Sequence, residues 1–500
     1  MKIVPKSVAV KSFLTLLLTV SLTVLLFACR ETASSESDGV TRSWADEEAK
    51  KVVAAIRREH PRIYLTPERI PALKAQALTS KVGPWKQMHQ RMGGKQAALF
   101  YAMEIGPELG AKMSRNDYGR MAAKALMDAI SGGGKASPDD LAILYDWAHD
   151  ALTQEEKRAF VDFCKKRIGK EIRIHNEKAH GYRTSPKPEG MIAALAFYRD
   201  GIDDRYAEQL LLKGIRDTLQ DNLAMEQVAG KDGGFADGTY YLFQLGGPPF
   251  NSFLALTTAT GSSFFFDHAV FSRLPNQLIQ ALLPFAIERA KTGKASRYFA
   301  TFHDNWTSTT SDYGSVGSGM ATNMAITAAE FRRKGDEKTA SLYMWLVKEA
   351  FGGIPYQAEN PVSFVLLDET IPSLGPKEVG LPLAEALGWD EKAGEIDRDR
   401  FGKKAGIGWV AMRSAWNDPN ATYALFKAEP FYYHGHMHHD SLAFMIAKGE
   451  ELALARSGNY MCWYEGGPLR DKNPGWPQAA NFFTRTISTN NLLVFDPKED

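Results

Sequence analysis

The spacing of apolar residues changes once along this 500-residue chain, near residue 396. Before that point, apolar side chains recur at the spacing of one face of an α-helix, as at Leu141, Leu144, Tyr145, Ala148 and Leu152. Thr153 and Glu156 form a capping box that predicts the start of the next helix. Further helices are predicted over 120–130, 189–199, 206–223, 276–291, 320–333 and 338–351. Many moderate helices joined by Gly- and Pro-bearing loops favour an (α/α) toroid or solenoid of paired helices, which we assign to residues 45–396.

Beyond residue 397 the pattern is that of short strands. Segments 406–412, 421–427, 441–447, 452–455 and 491–495 are separated by Gly, Asn, Asp and Pro. This arrangement is typical of an antiparallel β-sandwich. We therefore predict a multidomain chain, α then β, with the sandwich over residues 397–500. Few strands remain before residue 500, so we expect the sandwich to be incomplete, as in a fragment truncated from a longer protein.

The N-terminus has the pattern of an export signal. Lys2, Lys6 and Lys11 form a basic region, and residues 13–27 are almost wholly apolar. Ala28-Cys29 then supplies a small residue and a thiol, as in a lipoprotein signal peptide. We predict a signal peptide over 1–28 and a flexible tether over 29–44, with the chain lipid-anchored in the outer membrane or periplasm of a Gram-negative bacterium. A signal cleaved elsewhere and an uncleaved anchor are the alternatives.

Composition excludes one class of partner. The chain has 60 basic and 59 acidic residues, without the basic excess of a nucleic-acid-binding protein. A local basic cleft could still bind an anionic glycan. Of three cysteines, only Cys164 and Cys462 would remain beside a lipidated Cys29, and a core of this size needs no disulfide.

Four of the eleven histidines fall within one short run, at His434, His436, His438 and His439, and Asp440 follows them. The run lies between two predicted strands, where functional loops are common. On an extended backbone alternate side chains share a face, so three imidazoles could bind a metal or provide an acid and a base. The structural alternative is a solvated histidine run.

Several segments together resemble the heparinase II/III-type polysaccharide lyases. They are the histidine run 436–440 with Phe444, Gly449 and 457–460, the early segment 60–70, the helical segment 141–147 and the late segment 485–494. In the order in which they occur, they cover about residues 60–495. The resemblance implies a toroid followed by a sandwich, with a glycan cleft between them. It also implies β-elimination at a uronic acid.

That reaction needs three groups. One neutralises the substrate carboxylate, one removes the C5 proton and one protonates the departing O4 oxygen. The resemblance places Tyr241, which follows Gly238 in a Gly-x-x-Tyr pattern, in the proton-transfer role. Tyr240 takes that role if the register shifts by one residue. The structural alternative is an ordinary buried aromatic pair.

The resemblance also implies residues that face the substrate carboxylate. His180 is the first candidate, with Glu189 in support and Asn176 as the alternative. Glu189 could instead be an acidic residue favoured by a helix N-terminus. His436 occupies the position of a catalytic histidine. Trp306 is a candidate for stacking on a sugar ring, or for the core.

This sequence departs from the family pattern at a structural zinc site that some of these lyases have. Its ligands would correspond to His438, then to the position of Arg456, and then to the neighbourhood of Thr489 and Asn490. Arginine stays protonated and cannot bind zinc, so we expect no metal there and no other cofactor. A different site built from His434, His438 and His439 stays open.

Two other functions remain open at this stage. A glycoside hydrolase on the same toroid would need two facing carboxylates, for which Asp146, Glu189 and Asp237 are available. A non-catalytic glycan-binding surface lipoprotein is the second. The His/Tyr arrangement favours the lyase.

Overall fold

The computed structural model describes residues 37–132, 136–169, 190–219, 248–267, 269–292, 299–300, 312–351, 353, 360–387, 408–427 and 443–453. Within these ranges, fifteen α-helices precede a five-stranded antiparallel sheet. The predicted order, helices and then strands, is confirmed. No helix of this part combines the length and apolarity that crossing a membrane requires.

The helices lie between residues 37 and 366. They are α1 (Ser37–Ala54), α2 (Ile70–Leu78), α3 (Val82–Gln90), α4 (Gly94–Ala102), α5 (Arg115–Ser131), α6 (Pro138–Trp147), α7 (Gln154–Ile168), α8 (Met191–Phe197), α9 (Asp204–Thr218), α10 (Pro248–Thr260), α11 (Ala269–Ala281), α12 (Ala286–Lys291), α13 (Asp312–Arg333), α14 (Glu337–Trp345) and α15 (Pro361–Leu366). Consecutive helices often pack on one another, as α4 does on α5 and α13 on α14.

Local sequence explains several helix starts. The predicted capping box is confirmed at α7, where Thr153 Oγ1 accepts a hydrogen bond from Glu156 N at 3.2 Å and Glu156 Oε2 accepts one from Thr153 N at 2.8 Å. Ser114 and Asp117 form a second box at α5. Such caps satisfy backbone N–H groups that have no partner within the helix, and each stabilises a helix by about 1 kcal/mol.

Two segments that the sequence predicts as single helices are not continuous α-helices in the structure. The segment 276–291 forms α11 and α12 instead of one helix, with a break around Pro284, which has no backbone N–H to continue the ladder. Leu282 there pairs with Phe299 in an isolated bridge. The segment 338–351 is α-helical only to Trp345, and Leu346–Ala350 form a π-turn.

The sheet contains β1 (Ala384–Leu387), β2 (Trp409–Arg413), β3 (Thr422–Lys427), β4 (Phe444–Lys448) and β5 (Glu451–Ala453), in that spatial order. Every neighbouring pair is antiparallel. Strand β1 lies before the boundary expected near residue 396, and Leu387 pairs with Trp409 of β2. Its four residues are too few for a period-two pattern to be recognised in the sequence.

The inner face of the sheet packs against the helical region. Alternate residues on this face are buried: Trp409, Ala411, Arg413, Tyr423, Leu425, Lys427, Ala443, Met445 and Ala447. Arg413 Nη2 donates to the carbonyls of Ile279, Gln280 and Leu282 at 2.9–3.3 Å, around the C-terminal end of α11. The sheet is therefore attached to α11 by directed hydrogen bonds as well as by apolar packing.

Candidate functional site

The four predicted catalytic residues, His180, Glu189, Tyr241 and His436, lie outside the residues that the structure describes. So do the alternatives and neighbours named with them, which are Asn176, Asp237, Tyr240, Trp306, His434, His438, His439, Asp440, Arg456, Thr489 and Asn490. The structure does describe the elements to which their segments are attached. Segment 170–189 joins α7 to α8, segment 220–247 joins α9 to α10, and segment 428–442 joins β3 to β4.

The attachment after Glu189 is well defined. Asp139 of α6 accepts hydrogen bonds from Gly190 N and Ala193 N, both at 2.8 Å, and so satisfies two backbone N–H groups at the start of α8. Gly190 has φ 94°, and an added Cβ would lie 2.5 Å from Ile168 Cδ1. A carboxylate at this helix N-terminus is therefore supplied by Asp139, in the position that the helix dipole favours.

The attachment of the histidine run is also defined. Phe426 of β3 pairs with Phe444 of β4, and Lys427 N donates to Ala443 O at 2.9 Å. Residues 427 and 443, which flank segment 428–442, consequently lie side by side in the sheet. Because β3 and β4 both have a neighbour on each side, these two flanking residues belong to inner strands and not to an edge.

A buried polar cluster, which sequence reasoning did not identify as a site, joins two of the segments that carry the family resemblance. We call residues 60–65 the docking segment. Asp146, at the C-terminal end of α6, accepts hydrogen bonds from Arg62 N at 2.9 Å and Ile63 N at 2.8 Å. His60 Nδ1 lies 2.6 Å from Asp146 Oδ1, and Trp147 Nε1 donates to Ile63 O at 2.9 Å. The two segments therefore meet through side chains of both.

Asp200 forms the second half of this cluster. Its Oδ1 lies 3.1 Å from His60 Nε2 and 3.2 Å from Arg62 Nη2, and its Oδ2 accepts a hydrogen bond from Tyr145 OH at 2.7 Å. His149 Nε2 lies 3.2 Å from the same oxygen. We call His60, Arg62, Tyr145, Asp146, His149 and Asp200 the His60 network.

Apart from His149, whose side chain is 17% exposed, the side chains of the network are buried, and their electrostatics follow from that. Asp146 and Arg62 are 0% exposed. Burial alone would raise the pKa of Asp200, but the contacts with His149 and His60 and the charge of Arg62 hold it well below its usual value. Burial raises the pKa of Tyr145, and the charge of Asp200 adds to the effect, so that phenol remains a hydrogen-bond donor.

Three members of the network have ligand-type atoms within 4.8 Å of one another, namely His60, His149 and Asp200. The two imidazole rings stack with centroids 3.7 Å apart and planes 5° apart. The nitrogen lone pairs of imidazole lie in the ring plane, so two parallel rings direct them side by side. Tetrahedral coordination instead requires lone pairs that converge on one ion. Arg62 also brings a positive charge to Asp200. The geometry thus favours a proton-sharing network over a metal centre.

The network bears on the glycoside hydrolase alternative. Both oxygens of Asp146 accept hydrogen bonds from buried groups, and the side chain has no solvent exposure. A catalytic carboxylate of a glycosidase has to reach the sugar or an attacking water. Asp146 therefore does not fit that role, and the hydrolase loses one of its three candidate carboxylates.

A sequence signal for the network exists. Asp146 is the only charged residue of the segment 141–147, and that whole segment is buried in the folded chain. A carboxylate within an apolar helix must find buried donors, because an unpaired buried charge is strongly unfavourable. The sequence does not identify those donors, which lie more than 80 residues away at His60 and Arg62.

Two cations, a buried lysine and a half-buried arginine, close a helix end. Lys81 Nζ donates to Phe364 O at 2.6 Å and Arg69 Nη2 donates to Val365 O at 3.2 Å, both near the C-terminus of α15. Burial lowers the pKa of Lys81 to about 8 and that of Arg69 to about 10. Cations at a helix C-terminus are favoured by its dipole, so these residues have a structural explanation.

Comparison of the sequence with protein-family models and with curated proteins found no match.

Proposed function

We propose that the chain is a polysaccharide lyase that cleaves uronic-acid-containing glycans by β-elimination. The proposal starts from the resemblance to heparinase II/III-type lyases and from the residues that carry it. In this proposal Tyr241 and His436 transfer protons, and His180, supported by Glu189, neutralises the substrate carboxylate. The proposed partners are the anionic polysaccharide substrate and the membrane that holds the lipid anchor.

The observation that carries the proposal is the direct attachment of the sheet to the helical region. Such a mechanism draws two groups from segments of the helical region and one from a loop of the sheet. A cleft built from both regions works only if they keep a fixed relative position, because small misplacements of catalytic groups reduce rate strongly. The hydrogen bonds from Arg413 to Ile279, Gln280 and Leu282, together with that from Tyr423 OH to Gln280 O, support such a fixed position.

Each proposed group has a chemical task that suits its residue type. The C5 proton becomes acidic enough to remove only if negative charge on the adjacent carboxylate is stabilised, and His180 would do this. Tyrosine has an ordinary pKa of about 10, so a cationic neighbour has to favour its phenolate before it can act as a base. His436 is suited to donate a proton to the leaving O4 oxygen.

The finer architecture belongs to the same proposal. Consecutive helices that pack in pairs support an (α/α) toroid. The outer face of the sheet carries Val410, Met412, Phe426, Phe444 and Ile446, which supports a second layer of strands over it, as in a sandwich. The signal-peptide pattern supports a lipid anchor at Cys29 and a location in the outer membrane or periplasm.

The experiment is a screen of the purified mature chain against several uronic-acid polymers and a neutral glucan. β-Elimination leaves an unsaturated uronic acid that absorbs ultraviolet light, whereas hydrolysis leaves none. We expect ultraviolet absorbance to rise with at least one uronan and not with the glucan. New reducing ends without this absorbance would point to the hydrolase. Binding without any cleavage would point to the glycan-binding lipoprotein.

A further inference from the structure

His60 lies between two carboxylates. Its Nδ1 is 2.6 Å from Asp146 Oδ1 and its Nε2 is 3.1 Å from Asp200 Oδ1. Ionised carboxylates only accept hydrogen bonds, so both ring nitrogens must carry a hydrogen. Only the doubly protonated imidazolium meets this condition. With 5% of the side chain exposed, the cation is stabilised by its protein partners and hardly by water.

Among His60, Arg62, Asp146 and Asp200, the charges balance only when His60 is doubly protonated. The imidazolium and the Arg62 guanidinium face the carboxylates of Asp146 and Asp200. Loss of one proton would leave a net negative charge in a buried site. It would also turn a nitrogen lone pair toward a carboxylate oxygen, which is repulsive in a medium of low dielectric constant.

The remaining titratable groups around the ring lie on the turn after α6 and on α7. His149, stacked on His60, has its Nδ1 3.1 Å from Asp150 Oδ1 and 3.5 Å from Lys157 Nζ. Burial lowers the pKa of Lys157, while the charges of Asp200 and Asp150 oppose that change. Tyr145, which donates to Asp200, is the last titratable group near the His60 ring among the described residues. Neither His149 nor Lys157 reaches the Asp146 oxygens that His60 and the docking segment share.

The network has a mechanical role besides its charge. Asp146 receives the backbone N–H groups of Arg62 and Ile63, and Arg62 Nη2 also donates to Ala196 O at 2.8 Å. These contacts attach the docking segment to α6 and α8. We propose that the His60 network is a pH-sensitive lock, which holds residues 60–65 on the helical region while His60 carries both protons and loosens when it loses one.

The direction of the effect follows from the shifts of two groups. Burial by itself lowers the pKa of His60, but the hydrogen bonds to Asp146 and Asp200 outweigh it and raise the pKa above 6.5. A group with a raised folded-state pKa stabilises the fold fully below its unfolded pKa, and the contribution is lost as pH rises through the folded pKa. Asp200, with a lowered pKa, contributes above about pH 3.9 and loses its contribution as pH falls. The lock is therefore strongest between about pH 4 and 6.5.

Hydrogen exchange of the full mature chain, read by mass spectrometry and corrected for the intrinsic pH dependence of exchange, tests the lock directly. Peptides that cover 60–65 and 141–147 should lose protection above about pH 6.5, by up to about tenfold per pH unit while His60 titrates. Peptides that cover β2 and β3 serve as the internal reference and should keep their protection. Equal protection of the docking segment at about pH 6 and about pH 9 would overturn the proposal.

Variants separate His60 from other titrations. His60→Asn removes the titrating ring, so the pH dependence of exchange in 60–65 should disappear. His89→Gln is the matched control, because it removes a histidine outside the His60 network, and burial lowers the pKa of His89, in the direction opposite to the shift of His60. Retention of the wild-type pH dependence in His60→Asn would contradict the lock. If His60→Asn fails to fold, the exchange of the wild-type chain still decides.

Discussion

Asp146 shows how one buried side chain can determine its neighbours. Its two oxygens accept from Arg62 N, Ile63 N and His60, and neither oxygen reaches solvent. Asparagine at this position would keep one accepting oxygen and direct an NH₂ group at donors. The carboxylate therefore suits a protonated ring nitrogen of His60 on one side and backbone N–H donors on the other. Pro61 lies between His60 and Arg62 in the sequence. It has no backbone N–H, so the backbone donors to Asp146 begin at Arg62.

At Tyr241, a single hydroxyl is proposed to carry the proton transfer. Tyr241→Phe keeps the ring and removes only that hydroxyl, so we expect turnover to fall by about 10²–10⁴-fold while substrate binding changes little. Tyr240→Phe is the matched control and should retain activity. Initial rates from ultraviolet absorbance on the best uronan check both variants. The opposite result, with loss in Tyr240→Phe alone, would move the role to Tyr240, and full activity in both would remove tyrosine from the mechanism.

Residue-level prediction from the sequence succeeds where the cause is local. The Thr153–Glu156 box is confirmed because both partners lie within one turn. The His60 network was not predicted, because its members come from three distant stretches of the chain and only folding brings them together. The predicted catalytic residues depend on the same kind of long-range convergence, and their roles stay predictions.

Among the elements, α11 and the sheet form the best-defined contact between the two regions. Arg413 reaches the carbonyls at the end of α11, with its guanidinium carbon 4.0 Å from the ring centroid of Trp416 and 5.1 Å from that of Tyr423. Gln280 Nε2 donates to Pro382 O and to Glu385, on the approach to β1 and in β1 itself. The helix end is thus satisfied by side chains of the sheet region, which ties the folding of the two regions together.

We expect Arg413→Met to weaken this attachment. The variant keeps an apolar stem but leaves three carbonyls without their cationic donor, which should lower the free energy of unfolding by about 2–4 kcal/mol. Urea unfolding, followed by the denaturant midpoint and slope, measures the effect. Tyr423→Phe removes one hydrogen bond, that to Gln280 O, and should lower the free energy of unfolding by about 1 kcal/mol.

Arg158→Met is the matched control for the substitution of Arg413. Arg158 is exposed on α7, so its replacement should change stability by less than about 0.5 kcal/mol. An equal and small effect at both positions would show that Arg413 does not hold the sheet on α11.

Whether a segment is a helix or a strand was predictable where the periodic pattern was long. The residues at which helices and strands begin and end were not predictable. Helices α5, α6 and α7 and strands β2 to β4 occur where apolar spacing placed them. The break between α11 and α12 depends on Pro284 and on the bridge from Leu282 to Phe299, and the second of these is a tertiary contact. Strand β1 forms through its backbone pairing with the edge of β2. No pattern within its four residues indicates this pairing.

For the molecule as a whole, the helix-to-strand order was predictable because it depends on composition and period over hundreds of residues. The attachment of the sheet to α11 was not, since it depends on one buried arginine and a few carbonyls. Periodic patterns act over long stretches and can be recognised in the sequence, whereas a contact between distant residues forms only in the folded chain.

The N-terminus is expected to hold the whole molecule at a membrane. The basic region, the apolar run and Ala28-Cys29 lead us to expect a mature chain that begins at a lipidated Cys29. Mass spectrometry of the N-terminal peptide should show a diacylglycerol-modified cysteine, and detergent should be needed to extract the protein from membranes. Two or more acyl chains bury enough CH₂ groups, at about 0.8 kcal/mol each, to hold a protein at a bilayer.

Cys29→Ser is the decisive variant, because it removes the thiol and leaves the apolar run intact. We expect this chain to lose the lipid, while Cys164→Ser, at a buried position of α7, should keep it. An unmodified N-terminus downstream of residue 29 in the wild-type chain would contradict the anchor. It would leave the lyase proposal intact, since cleavage of a glycan requires export but no lipid.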